Sequence, residues 1–132
     1  MTDHLFVYGT LRTGLDHPQA RWLAANSSLL GICTIQGRLF RISWYPGLVS
    51  SGLGNNDRVI GELLRLHDPK VALRKLDDYE GVSEGDYERR IVEVNLKGRH
   101  YSAWVYQFLG PTEGLRWIPS GDFVRDLNIH FD

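Results

Sequence analysis

His4-Leu5-Phe6-Val7-Tyr8-Gly9-Thr10-Leu11-Arg12 opens as a short apolar run that empties into a glycine turn. Leu5 to Tyr8 are large apolar or aromatic residues, too few for a stable helix, so the run reads as a first, buried strand. Gly9 ends it. A glycine here lets the backbone turn sharply and lets another group approach closely. Such a turn is either an ordinary connection or a place where backbone N–H groups bind a small polar ligand.

Outward from this stretch, the spacing predicts short elements. Asp16-His17-Pro18 reads as a helix start with Asp16 as N-cap, and the helix runs past Trp22 to end near Asn26-Ser27-Ser28. Leu29 to Ile35 reads as a strand interrupted by Gly31, and Gly37 to Ile42 as another. Trp44-Tyr45-Pro46-Gly47 reads as a turn and Ser50 to Asn56 as a loop. Arg58 to Leu66 is apolar at nearly every position, the pattern of a strand buried on both faces. Asp68-Pro69 caps a helix to about Tyr79, stopped by Gly81. Tyr87 to Asn95, the turn Lys97-Gly98, and His100 to Phe108 read as a hairpin. A short strand over Leu115 to Ile118 and a last helix around Phe123 to Leu127, capped by Ser120, complete the pattern. With no repeat or linker, residues 1–132 read as one domain. The expected class is α+β: about six strands, mostly antiparallel, in a curled sheet or small barrel with two or three short flanking helices.

The net charge of −1 gives no electrostatic footprint for nucleic acid or an anionic membrane. No apolar run approaches the roughly 20 residues that span a bilayer. The N-terminal residues do not read as a signal peptide, and the lone Cys33 fits a reducing cytoplasm. Gly9 and Gly14 have the spacing of a phosphate loop, but Leu15 and Asp16 stand where Lys and Ser/Thr are required. The five histidines show no metal-ligand spacing, and no cofactor site is expected.

Two acids stand out. Glu80 is seven residues on from Leu73 and shares its helical stripe with Leu73 and Leu76, so it should point inward, whereas Asp77 and Asp78 should be solvated. It sits at the negative end of the helix dipole, and burial would disfavour its charge further. Both effects raise its pKa toward that of a general base, unless it simply pairs with Arg89 or Arg90. Glu62, on the face of Ile60, Leu64 and Leu66, is a rival inward acid. His100 and Tyr106 share a strand face and reach either a pocket or the core, as do Tyr87 and Tyr45-Pro46-Gly47.

Together, Phe-Val-Tyr-Gly-Thr-Leu-Arg at 6–12, Tyr-Pro-Gly at 45–47, Val-Ile-Gly-Glu-Leu at 59–63, Leu-Asp-Asp-Tyr-Glu-Gly at 76–81, Tyr-x-Arg at 87–89 and Ala-Trp-Val-Tyr at 103–106 resemble the γ-glutamylcyclotransferase-like family. Gly-Leu-Arg-Trp-Ile-Pro-Ser-Gly-Asp-Phe at 114–123 is similar to its small bacterial branch. The resemblance implies a small mixed, mostly antiparallel β-barrel with two or three short flanking helices, and a pocket in which Tyr8, Gly9, Thr10 and Leu11 hold a γ-glutamyl group largely through the backbone, with Tyr87 and Tyr106 beside it. It implies Glu80 as the catalytic glutamate and Glu62 mainly as scaffold. The implied reaction is intramolecular cyclisation to 5-oxoproline with release of an amine or amino acid, without metal or organic cofactor. A non-catalytic protein of the same fold that binds a small amide or amino-acid-like ligand is the alternative. The oligomeric state is open.

Overall fold

The computed structural model describes residues 2–50 and 57–131, with side chains described as far as residue 127. The elements run β1 (His4–Val7), α1 (Pro18–Ala25), β2 (Ser27–Gln36), β3 (Arg38–Arg41), β4 (Pro46–Val49), β5 (Arg58–Leu66), α2 (Pro69–Tyr79), β6 (Tyr87–Leu96), β7 (Arg99–Phe108), β8 (Arg116–Trp117) and α3 (Phe123–Phe131). Eight strands form one curled half-barrel sheet in the order β2-β5-β1-β7-β4-β3-β8, with β6 paired to β7. Pairing is antiparallel except where β7 runs parallel to β1 and β4. This is the mixed α+β class expected, with three short helices. None of the described helices is long and apolar enough to cross a membrane.

The sheet is buried on both faces at its centre. In β1, Phe6 (and Tyr8 just beyond it) enters the barrel interior with Leu63, Val105, Ile118 and Phe123. Leu5 and Val7 face the other way, under α1 and α2, with Leu23, Leu64, Leu73 and Leu76. Two-sided burial is why β1 and β5 read as mostly apolar runs rather than as alternating strands. The β6–β7 hairpin turns through Lys97 (φ 53°) and Gly98 (φ 78°), the left-handed pair that a tight hairpin demands.

Several local expectations are corrected. His17, not Asp16, caps α1: its backbone is extended and its Nδ1 accepts the Gln19 N–H, while the exposed Asp16 pairs with Arg21. Pro46-Gly47 is not a turn but the start of β4. Both residues are buried, and a Cβ on Gly47 would lie 2.7 Å from Phe108. The last helix is capped by Asp122, whose Oδ1 accepts the N–H groups of Val124 and Arg125; Ser120 accepts only the Asp122 N–H. The expected loop at 50–56 lies mostly outside the described residues.

The feature that positions the site is a seam. One edge of β7 is paired with β6 over ten residues; the other is shared, β1 pairing through Leu5 and Trp104, and β4 through Leu48 and Gln107. Between the two, the buried Tyr8 hydroxyl donates to the Tyr106 carbonyl (2.6 Å) and accepts the Leu48 N–H (3.1 Å). One side chain thus substitutes for the missing ladder bonds. Tyr8→Phe leaves both backbone groups buried and unpaired, and should lower unfolding free energy by about 2–4 kcal/mol in urea titrations. A loss below about 0.5 kcal/mol would show that the seam does not depend on the hydroxyl.

Candidate active site

Where β1 parts from the seam, a cavity of about 200 Å³ opens. Its wall includes Tyr8, Gly9, Thr10, Leu11, Glu80, Tyr87 and Tyr106, so the structure brings together every residue that the sequence assigned to the candidate site. It adds Trp44, Tyr45, Pro46, Tyr79, Gly81 and Asp86. Its volume suits a small ligand, below the roughly 300–1,000 Å³ of drug-sized pockets.

Gly9 is needed for close approach: a Cβ there would lie 2.7 Å from the Pro46 ring. Beyond it the chain turns, with the Arg12 N–H returning to the Gly9 carbonyl at 3.1 Å. The N–H groups of Gly9, Thr10 and Leu11 donate to no described residue. Three free backbone donors beside a cavity form a cradle for an anionic or carbonyl oxygen. Among the described residues no Lys, Arg or His lines this cavity, so the donors it offers are neutral ones.

Glu80 is delivered by the end of α2. Asp68 caps the start, and Leu73 and Leu76 pack beneath the sheet. Glu80 is the C-cap, and Gly81 follows in the left-handed conformation (φ 70°). The Gly81 N–H reaches the Asp78 carbonyl and the Val82 N–H the Asp77 carbonyl, the paired bonds of a Schellman motif. The chain therefore turns immediately after Glu80, leaving its side chain directed at the cavity. The carboxylate has no hydrogen bond or ion pair with any described residue. Burial raises its pKa from the ordinary 4.5 to about 7. Arg89 does not neutralise it, for Arg89 makes a two-point bond to Asp77 (2.8 and 3.1 Å). Arg90 is engaged by Gln107 and Ser50.

Asp77 is accordingly not solvated as the helical wheel suggested; it is partly buried and also accepts the Tyr106 hydroxyl at 2.7 Å. Tyr87 donates to the Pro46 carbonyl at 2.8 Å. With the hydroxyls of Tyr8, Tyr87 and Tyr106 all engaged by protein, these residues are built into the wall rather than offering free hydroxyls. Burial holds all three phenols neutral, and the Glu80 charge adds to the same effect. His100 is exposed on the hairpin and does not line the cavity.

Glu62 is buried too, but has partners. Its Oε1 accepts the Thr13 N–H (2.7 Å), and Oε2 lies 3.8 Å from Arg12 Nε. Arg12 also pairs with Asp122 at 2.8 Å. Glu62 thus anchors the far side of the Gly9 turn to β5 and does not line the cavity. Tyr79 and Asp86 were not singled out as site residues in the sequence, although the motif at 76–81 contains Tyr79. Tyr79 is the aromatic residue of the Leu-Asp-x-aromatic-Glu-Gly motif, which was its signal. Asp86 reaches the wall only because its carboxylate folds over Gly81, where a Cβ would lie 2.6 Å from Oδ2.

A model of the family described as gamma-glutamyl cyclotransferase, AIG2-like, matches residues 5–125. The chain is 33% identical over 123 residues to the gamma-glutamylcyclotransferase family protein YtfP of Escherichia coli K12, covering 91% of this chain and 95% of YtfP. The solution structure of the Escherichia coli protein superposes with a TM-score of 0.68, covering 93% of this chain and 98% of that one. A mouse AIG2-like protein superposes at 0.67, with 25% identity over 92% of this chain and 93% of that one. YkqA of Bacillus subtilis superposes at 0.77, also with 25% identity; the match covers 98% of this chain but 42% of YkqA. The chain belongs to the gamma-glutamyl cyclotransferase, AIG2-like family.

The sign of the Glu80 shift carries a stability consequence. With a folded pKa of about 7 and an unfolded value of 4.5, the native state binds more protons than the unfolded state between those values. Stability should therefore fall as pH rises through about 4.5 to 7. Above pH 8, Glu80→Gln should be more stable than wild type by on the order of 1–3 kcal/mol, an advantage that shrinks toward pH 4. Denaturation curves at both pH values check this; a Gln variant less stable at pH 8 would mean that the carboxylate is compensated.

Proposed function

We propose that the protein cyclises γ-glutamyl amides of small amines or amino acids, releasing 5-oxoproline. The observation that carries this reading is the unpartnered Glu80 carboxylate, with its pKa near 7, in the same cavity as the free N–H groups of Gly9, Thr10 and Leu11. Membership of the cyclotransferase family supports an activity of this general kind.

A γ-glutamyl substrate carries its own nucleophile, the α-amino group, which is mostly protonated at neutral pH. Glu80 takes one proton from the ammonium. The amine then attacks the γ-carbonyl, closing a five-membered ring and placing negative charge on the carbonyl oxygen. The backbone donors of the Gly9 turn stabilise that charge. The ring nitrogen loses its surplus proton to water, and Glu80 returns the proton it took to the leaving nitrogen as the carbonyl re-forms and the exocyclic C–N bond breaks. The products are 5-oxoproline and the free amine. The small walled cavity favours the folded substrate in which amine and carbonyl meet, an orientational contribution to the rate. A base with a pKa near 7 is well matched to taking and returning a proton at neutral pH.

Incubation with a panel of γ-glutamyl compounds, assayed for 5-oxoproline, tests the reading. Turnover of at least one member is expected, with kcat/KM rising through about pH 7 as Glu80 ionises. Glu80→Gln should reduce it by at least about 100-fold. Glu62→Gln should weaken stability but keep the ascending limb of the pH profile. Full turnover by Glu80→Gln removes Glu80 as the base. Binding without turnover across the panel favours a ligand-binding role on the same cavity.

A further inference from the structure

The cavity wall carries a hydroxyl whose proton is set from outside the cavity. Thr10 Oγ1 lies 3.0 Å from the Tyr79 hydroxyl, which lies 3.1 Å from His17 Nε2. His17 Nδ1 accepts the Gln19 backbone N–H at 3.2 Å as the cap of α1. An imidazole nitrogen that accepts a hydrogen bond carries no proton, so in neutral His17 the proton sits on Nε2. Nε2 therefore donates to Tyr79. The Tyr79 proton then has one described acceptor, Thr10 Oγ1. The Thr10 proton has no described protein acceptor, and Thr10 lines the cavity. The ring is held in place: it stacks on Trp44 (centroids 5.7 Å apart, 24° between planes) and meets the Tyr79 ring edge-on at 5.5 Å.

We infer that His17 and Tyr79 are positioning residues that fix a one-way chain of hydrogen bonds, His17 Nε2–H to Tyr79 to Thr10, so that the Thr10 hydroxyl is presented to the cavity as a donor. Neither His17 nor Tyr79 needs to touch the ligand through its polar atoms. The acceptor would be a carbonyl or carboxylate oxygen held beside the Gly9–Leu11 cradle. Its identity as part of a γ-glutamyl group rests on the cyclotransferase reading, whereas the proton order does not. The helix cap and the site are thereby coupled: the same imidazole closes the start of α1 and orients a donor in the cavity.

Two measurements on the full chain test this separately. Long-range ¹⁵N NMR at pH 8 should show His17 as the Nε2–H tautomer with Nδ1 an unprotonated acceptor. In Tyr79→Phe the tautomer should persist, because the cap sets it, but the Nε2 proton should exchange faster with solvent. A proton on Nδ1 overturns the inference whether or not any compound is turned over. For kinetics, the probe is whichever γ-glutamyl compound releases 5-oxoproline fastest. Tyr79→Phe and His17→Asn, the latter retaining a capping oxygen, should each lower kcat/KM about tenfold, and the double variant should lose no more than the larger single loss. Thr10→Ser should stay within about threefold of wild type, whereas Thr10→Val should fall at least as far as Tyr79→Phe. Additive losses in the double variant, or equal behaviour of Thr10→Ser and Thr10→Val, contradict the chain. An absence of turnover with the Nε2–H tautomer intact would sink the cyclotransferase reading and leave the proton order standing.

Discussion

The Tyr8 hydroxyl joins three strands that cannot all pair with one another. Strand β7 offers one long edge to β6 and must divide the other between β1 and β4. Where β1 stops and β4 begins, backbone groups would be left open. Tyr8 closes the gap by bonding to Tyr106 and Leu48 at once. Because the gap is closed by a side chain and not by continued pairing, the backbone after Tyr8 is free to swing away. Its next three N–H groups remain unpaired on the cavity wall. A ladder running on through Gly9 would have consumed them. The row of unpaired donors is thus a by-product of how the sheet curls.

Glu62 and Glu80 show how context divides two acids of the same type. Both are drawn inward by neighbours on apolar elements. Glu62 meets the Thr13 N–H and the Arg12 guanidinium, so both of its oxygens have partners where it is buried. Removing one partner from such a group costs more than the pair contributes. Glu80 meets no described donor, and burial pushes its pKa to about 7. The fold bears that cost at one place, the cavity into which the free N–H groups also open. Asp77, three residues before Glu80, takes up Arg89 and the Tyr106 hydroxyl. The helix therefore carries a partnered acid and, three residues on, one with no described partner.

Much of this was legible because it is local. Strand β5 is a mostly apolar run, α2 is bounded by Asp68 and Gly81, and the β6–β7 hairpin is marked by Lys97-Gly98. The inward turn of Glu80 follows from its spacing to Leu73 and Leu76. What was not legible depends on partners far away in the chain. Asp77 looks solvated on a helical wheel, because Arg89 and Tyr106 arrive from other elements. Pro46-Gly47 carries a turn signal, yet the pair fits a strand where it packs on Gly9 and Phe108. His17 is a less usual cap than Asp16, and its second nitrogen acquires meaning only when Tyr79, 62 residues away, comes within 3.1 Å. Glu62 and Glu80 could not be ranked by pattern, since their difference lies in which of them finds a donor.

The most direct measurement is the titration of the Glu80 side chain itself, followed by the ¹³C resonance of its carboxyl carbon in the folded protein. A midpoint near 7 is expected, moving when a γ-glutamyl compound is added, because the ligand's ammonium would lie against the carboxylate. A midpoint near 4.5, unchanged by such a compound, would contradict it: Glu80 would then be an ordinary ionised surface acid, and the cavity would hold no base.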